Sequence, residues 1–223
     1  MDAPAPARRG RPSLADRAQL DEAASELFLE RGYDATSAED IARRAGVSRS
    51  ALFTRVASKP DLLWGSVDDA LAELEARLEA AFDCPATPRE ITTLLIELAD
   101  GLGPDRVPWA MAHAELMGTR AALLESGATR AERAAAAIAA ALGRAPGAPS
   151  LLGSRSALPD LAFANAAVGA IAAAGRVWIE AGAARPPLGE LVAEALGPIA
   201  AAFEARRRVE REAEHEAGLA TGG

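Results

Sequence analysis

Between Ile41 and Pro60 the sequence places Arg43, Arg44, Arg49, Arg55 and Lys59 and not one acidic residue. Five cations on one short stretch could dock a polyanion at a single place, since local attraction survives where the rest of the chain repels. The contrast is sharp, because the 223-residue chain has a formal net charge of −8. Ser50, Phe53 and Thr54 are interleaved with the arginines. Guanidinium donors, small hydroxyls and an apolar ring are what phosphates, base edges and thymine methyl groups require of a protein surface. A solvated helix face would carry similar charge, so the elements that hold these residues must decide.

Those elements read as helices. Half of the residues are hydrophobic and alanine dominates, which favours an all-α chain with a buried core. Residues 1–12, "MDAPAPARRGRP", form a flexible basic arm by composition. A first helix is expected over 14–31, with Leu20, Ala23, Ala24, Leu27 and Phe28 on one face and Gly32 ending it. "TSAED" then reads as a capping box in which Thr36 pairs with Glu39, opening a second helix over 38–45. Gly46 suits a left-handed closing turn, and Ser48 caps a third helix over 49–56. Ser58, Lys59 and Pro60 read as the start of a fourth, running to about Phe82.

Ala42, Gly46 and Leu52 give the pattern A-x3-G-x5-L. A small residue admits the second helix, glycine makes the turn and leucine seals the corner, so that one helix is braced to project into a major groove. With the acid-free face of Arg49, Ser50, Phe53, Thr54 and Arg55, the pattern favours a DNA-reading corner over an ordinary helical one.

The block "AASELFLERGYDATSAEDIARRAGVSRSALFTRVASKPDLL", residues 23–63, resembles the TetR family of bacterial one-component repressors. The resemblance covers the module and not the remaining two-thirds. It implies that Arg49 and Ser50 read bases, with Phe53 where the family has tyrosine, Arg55 where it has histidine and Val56 where it has phenylalanine. It also implies that Lys59 meets a phosphate at the start of the fourth helix, and that Thr36 or Ser37 binds the DNA backbone. Thr54 lies on the same face. "RRGRP", with Arg9 and Arg11, is similar to the arm that AT-hook peptides lay in a minor groove; a solubilising tail is the other reading.

Beyond residue 60 further helices are expected near 88–101, 106–118, 119–143, 158–183 and 188–213. The domain division is therefore 1–60 for DNA binding and 61–223 for ligand binding and dimerisation. Trp109, His113 and Met117 fall at helical spacing, and Phe82, Phe163 and Trp178 could join them around an apolar effector; plain core packing is the alternative for each. Leu188, Leu191, Val192, Ala195, Leu196, Ile199 and Phe203 form a stripe on the last helix, opposite small residues Ala166, Gly169, Ala170 and Ala173. That pair is expected to build a four-helix homodimer interface.

No catalytic constellation, metal-ligand cluster or cofactor motif is found: there are two histidines, His113 and His215, and one cysteine, Cys84. The apolar run Leu161–Gly175 is too short to span a bilayer, and no signal peptide is expected, so a cytoplasmic protein is. The expectation is a repressor that holds a palindromic operator as a homodimer and is released by a small apolar ligand. A ligand-independent regulator or activator, or a helical enzyme or carrier, are the alternatives.

Overall fold

The computed structural model describes residues 14–81, 85–103, 106–143 and 157–221, and the regular elements among them are all helical. The α-helices are α1 (Leu14–Arg31), α2 (Ala38–Arg44), α3 (Arg49–Arg55), α4 (Gly65–Ala81), α5 (Pro88–Asp100), α6 (Trp109–Ala112), α7 (Ala114–Met117), α8 (Arg120–Leu142), α9 (Leu158–Glu180) and α10 (Leu188–Thr221). The chain divides into two compact units. One takes the residues up to Gly65 together with Pro108–Ser126; the other takes Ser66–Val107 and everything from Gly127. α8 contributes residues to both.

The first unit is built on the face that α1 buries. Leu20, Ala24, Leu27 and Phe28 are fully or almost fully buried beside Ile41, Ala42, Leu52 and Leu63. Met117 and Ala110 complete this core, so the segment from Pro108 packs with the N-terminal helices. Backbone and side-chain bonds fasten it there: Tyr33 N–H donates to Met117 O at 2.8 Å, and Trp64 Nε1 donates to Ser126 Oγ at 2.8 Å. The expected helix over 106–118 is broken at His113, whose backbone (φ −123°, ψ 34°) leaves the helical region between α6 and α7.

The expected fourth helix is likewise two elements. Lys59–Leu63 winds as a 3-10 turn, and α4 begins only at Gly65. Ser58 donates from both its N–H and its hydroxyl to the Asp61 carboxylate, which fixes the tight turn.

In the second unit α10 lies against both α5 and α9. Its buried residues Leu188, Val192, Leu196 and Ala200 meet Ile91, Leu95, Ala99, Phe163, Ala167 and Ala174 in one apolar core. Bidentate pairs, Arg130 with Asp68 and Arg133 with Glu75, tie α8 to α4. The Asp100 carboxylate accepts the Gly189 N–H at 3.0 Å, and a β-carbon at Gly189 would run into that carboxylate. α9 is long and apolar enough to cross a membrane by length and composition. Here it buries Phe163, Ala164, Ala167, Ala170, Ala174 and Trp178 in the core and leaves Ala162, Gly169, Ala172, Ala173 and Val177 exposed.

Candidate nucleic-acid interface

The corner between α2 and α3 follows from three residues. Gly46 takes φ +68°, a conformation that side-chain-bearing residues resist, and closes α2 with paired bonds: Gly46 N–H to Arg43 O at 3.2 Å and Val47 N–H to Ala42 O at 2.9 Å. Ser48 then accepts the Ala51 N–H at 3.1 Å and starts α3. Leu52 is wholly buried, with Val56 nearly so, and both press α3 onto Ile41, Ala42 and Ala45. The A-x3-G-x5-L spacing builds the corner expected of it.

With Leu52 and Val56 inward, the opposite face of α3 is fixed. Arg49, Ser50, Phe53 and Thr54 are exposed. The Arg49 guanidinium stands 5.7 Å from the centre of the Phe53 ring, a stacking that pre-orients a long side chain. Ser48 and Ser50 share a hydroxyl contact of 3.0 Å, and Thr54 Oγ1 donates to Ser50 O at 2.8 Å. Ser37 is exposed at the start of α2.

Three expected contacts are placed otherwise. Ser37, not Thr36, is the N-cap of α2: it accepts the Asp40 N–H at 3.1 Å, and Asp40 accepts the Ser37 N–H in return at 3.1 Å. Two hydroxyls stand side by side in "TSAED", and the box forms one residue later than the Thr36–Glu39 pairing. Thr36 is 1% exposed, its hydroxyl donating to Gly32 O at 2.8 Å and Leu27 O at 3.3 Å, so that hydroxyl closes the turn after α1 instead of facing a phosphate. Arg55 is half-buried and donates from Nη1 to Ala51 O at 2.8 Å, back along its own helix. Lys59 also turns inward, donating to Tyr33 O at 2.9 Å and Thr36 O at 3.0 Å. Burial holds its ammonium below the ordinary lysine pKa, against an opposing pull from Asp34.

The acid-free strip is therefore not a field of free cations. Arg44 bridges Glu26 at 2.8 Å and Glu30 at 2.7 Å across to α1, and Arg43 pairs with Asp40. The Arg44 hydrogen bond holds the Glu30 carboxyl below its ordinary pKa, and the hydrogen bonds from Ser37 do the same for Asp40. A count along the sequence missed the acids that α1 brings into reach, although Glu26 and Glu30, four apart, were a readable signal. Arg49 remains the exposed cation of α3.

The residues assigned to an effector are divided between the two units. Trp109 is 57% exposed and lies 5.2 Å, ring to ring, from an exposed His113, while Met117 is buried in the core of the same unit. Phe163 and Trp178 belong to the other unit's core. There Phe163 meets Phe203 edge-on at 5.4 Å, and Trp178 donates from Nε1 to Pro186 O at 2.7 Å beneath the Arg185 guanidinium. Phe82, like Arg9 and Arg11, lies outside the described residues. The helical spacing of Trp109, His113 and Met117 presumed one unbroken helix, and the break at His113 removes it.

Fold and corner together define an all-helical protein carrying an N-terminal helix-turn-helix that presents its second helix to solvent. Residues 21–63 match the family profile described as bacterial regulatory proteins, tetR family. The N-terminal helix-turn-helix module, residues 21–63, is thus of the TetR type. A Mycobacterium tuberculosis protein named as the mycofactocin biosynthesis transcriptional regulator MftR is 37% identical over 76 residues, 34% of this chain and 38% of that protein. The HTH-type transcriptional activator FasR of Mycolicibacterium smegmatis is 39% identical over 71 residues, 30% of this chain and 32% of that protein. Each match thus spans about a third of the relative's length. A solved structure described as a TetR-family transcriptional regulator from Mesorhizobium loti aligns over 88% of this chain and 98% of its own, with a TM-score of 0.50 at 19% identity, a likeness of fold.

Proposed function

We propose that the chain is a cytoplasmic transcriptional repressor that holds a near-palindromic DNA operator as a homodimer and lets go when a small apolar effector binds. The observation that carries the DNA-binding part is the exposed face of α3. Arg49, Ser50, Phe53 and Thr54 face solvent together on a helix whose other side is fully committed to the corner. Ser37, with its hydroxyl and the amides at the start of α2, is the backbone contact; Thr36 and Lys59 drop out of that role. Arg49 is the base reader, since a guanidinium can bond two acceptors of a guanine edge at once.

Selection of duplexes from a random pool at near-physiological salt tests this directly. The expected product is a motif with two inverted half-sites. On the selected duplex, Arg49→Ala should cost about 1–3 kcal/mol and relax the preference at one base pair, read from binding to single-base variants. Equal loss across all sequences would make Arg49 a phosphate contact instead.

The dimer reading rests on what α9 and α10 leave uncovered. Gly169 and Ala173 on α9 and Ala201, Ala202 and Ala205 on α10 are exposed, and small side chains let two helices approach closely. For the effector, the supporting aromatics are those of the second unit, Phe163 and Trp178, with Trp109, His113 and Met117 set aside. A lipophilic effector that enters beside Trp178 should alter the emission of the wild type, and Trp178→Phe should abolish that change while Trp64 and Trp109 continue to emit. An unaltered response in Trp178→Phe would place the effector elsewhere.

A further inference from the structure

We infer that Lys59 is a positioning residue of the reading head: its ammonium pins the turn before α2 to the chain leaving α3, and it does not anchor a DNA phosphate. The inference rests on the DNA-binding reading above. Its geometry is closed on three sides. Nζ donates to Tyr33 O at 2.9 Å and to Thr36 O at 3.0 Å, and it lies 3.8 Å from the centre of the Tyr33 ring. The ring is itself buried, set 5.1 Å from Phe28, and the Tyr33 N–H is spent on Met117 O. The turn that Lys59 grips is thus seated in the core from one side and held by the ammonium from the other.

What the grip controls is read from the next residue. Thr36 precedes Ser37, the N-cap of α2, while Lys59 lies just past the end of α3 at Val56. One side chain therefore links the entry of the helix-turn-helix to its exit and fixes how the amides of α2 and the face of α3 are presented together. The task suits lysine and not arginine. Two carbonyls and a ring face converge on one point, which a compact ammonium can fill and a planar guanidinium fork cannot. The chain has 23 arginines and a single lysine, and that lysine stands here.

The single lysine also makes the test clean. Reductive methylation with formaldehyde reports on one side-chain amine. In the free protein Lys59 should be methylated about tenfold or more slowly than in the urea-unfolded chain, because its part-buried ammonium is held by two carbonyls and a ring face. That protection should be in place before any duplex is added. A lysine that reacts freely in the free protein and is shielded by the duplex overturns the inference.

Two variants supply the second readout. Lys59→Met and Lys59→Arg, taken at temperatures where each is folded by circular dichroism, should both bind the selected duplex about tenfold more weakly, having lost a charge-assisted hydrogen-bond pair. The slope of log affinity against log salt should stay as in the wild type. A phosphate anchor predicts the reverse, a slope reduced by about 0.9 in Lys59→Met and binding kept in Lys59→Arg. If the wild type selects no duplex, the DNA-binding reading fails, and the methylation rate still decides whether Lys59 is locked inward.

Discussion

Leu196→Arg is expected to abolish cooperative folding of the second unit. Leu196 is fully buried in the protomer, in one core with Val192, Ala200, Ile91 and Phe163. A guanidinium forced into that core meets no acid among these neighbours, and an uncompensated buried charge destabilises by about 3–5 kcal/mol, a large share of a domain's total stability. Circular dichroism melting should show either a broad, early transition or none, and the protein should be largely aggregated at expression temperature. A sharp melt near that of the wild type would mean that the side chain escapes the core.

Gly169→Arg should do the opposite: leave the fold intact and break the dimer. A β-carbon at Gly169 meets nothing within 4 Å, and the residue is exposed on α9. The variant should melt within about 0.5 kcal/mol of the wild type, as surface substitutions do. Two bulky cations across a close-packed helix contact would keep the protomers apart, and operator affinity should fall by about 10²–10⁴ as two-handed binding is lost. Sedimentation velocity decides it. A Gly169→Arg dimer of wild-type affinity would move the interface off α9.

The two variants also mark where the sequence was legible. Helix α1 has the residues expected of it, and the corner around Ala42, Gly46 and Leu52 forms as its spacing requires. These are local matters: period, cap and turn each depend on residues a few positions apart. The stripe from Leu188 to Phe203 was legible as a face that must be covered, but not by what. α5 and α9 of the same chain cover its buried members, and small residues on the outward faces of α9 and α10 stay exposed.

Other misreadings have the same root. The five cations looked free because Glu26 and Glu30 stand too far back in the chain to be counted with Arg44. The fourth helix looked continuous because its apolar stripe runs past the 3-10 turn at Lys59–Leu63. Nothing local to Pro108–Ser126 announces that it packs with α1, since Met117 and Ala110 would suit any core.

A genome offers a DNA-binding protein a vast excess of wrong sites, and loose electrostatic adhesion to them is a sink. Arg43, Arg44 and Lys59 are engaged by the chain's own oxygens, on a protein of net charge −8. Such a reading head drains little into that sink. On the proposed function, fewer copies per cell should then suffice to keep an operator occupied. Selectivity rises because bulk DNA competes less, not because the right bases are held more tightly.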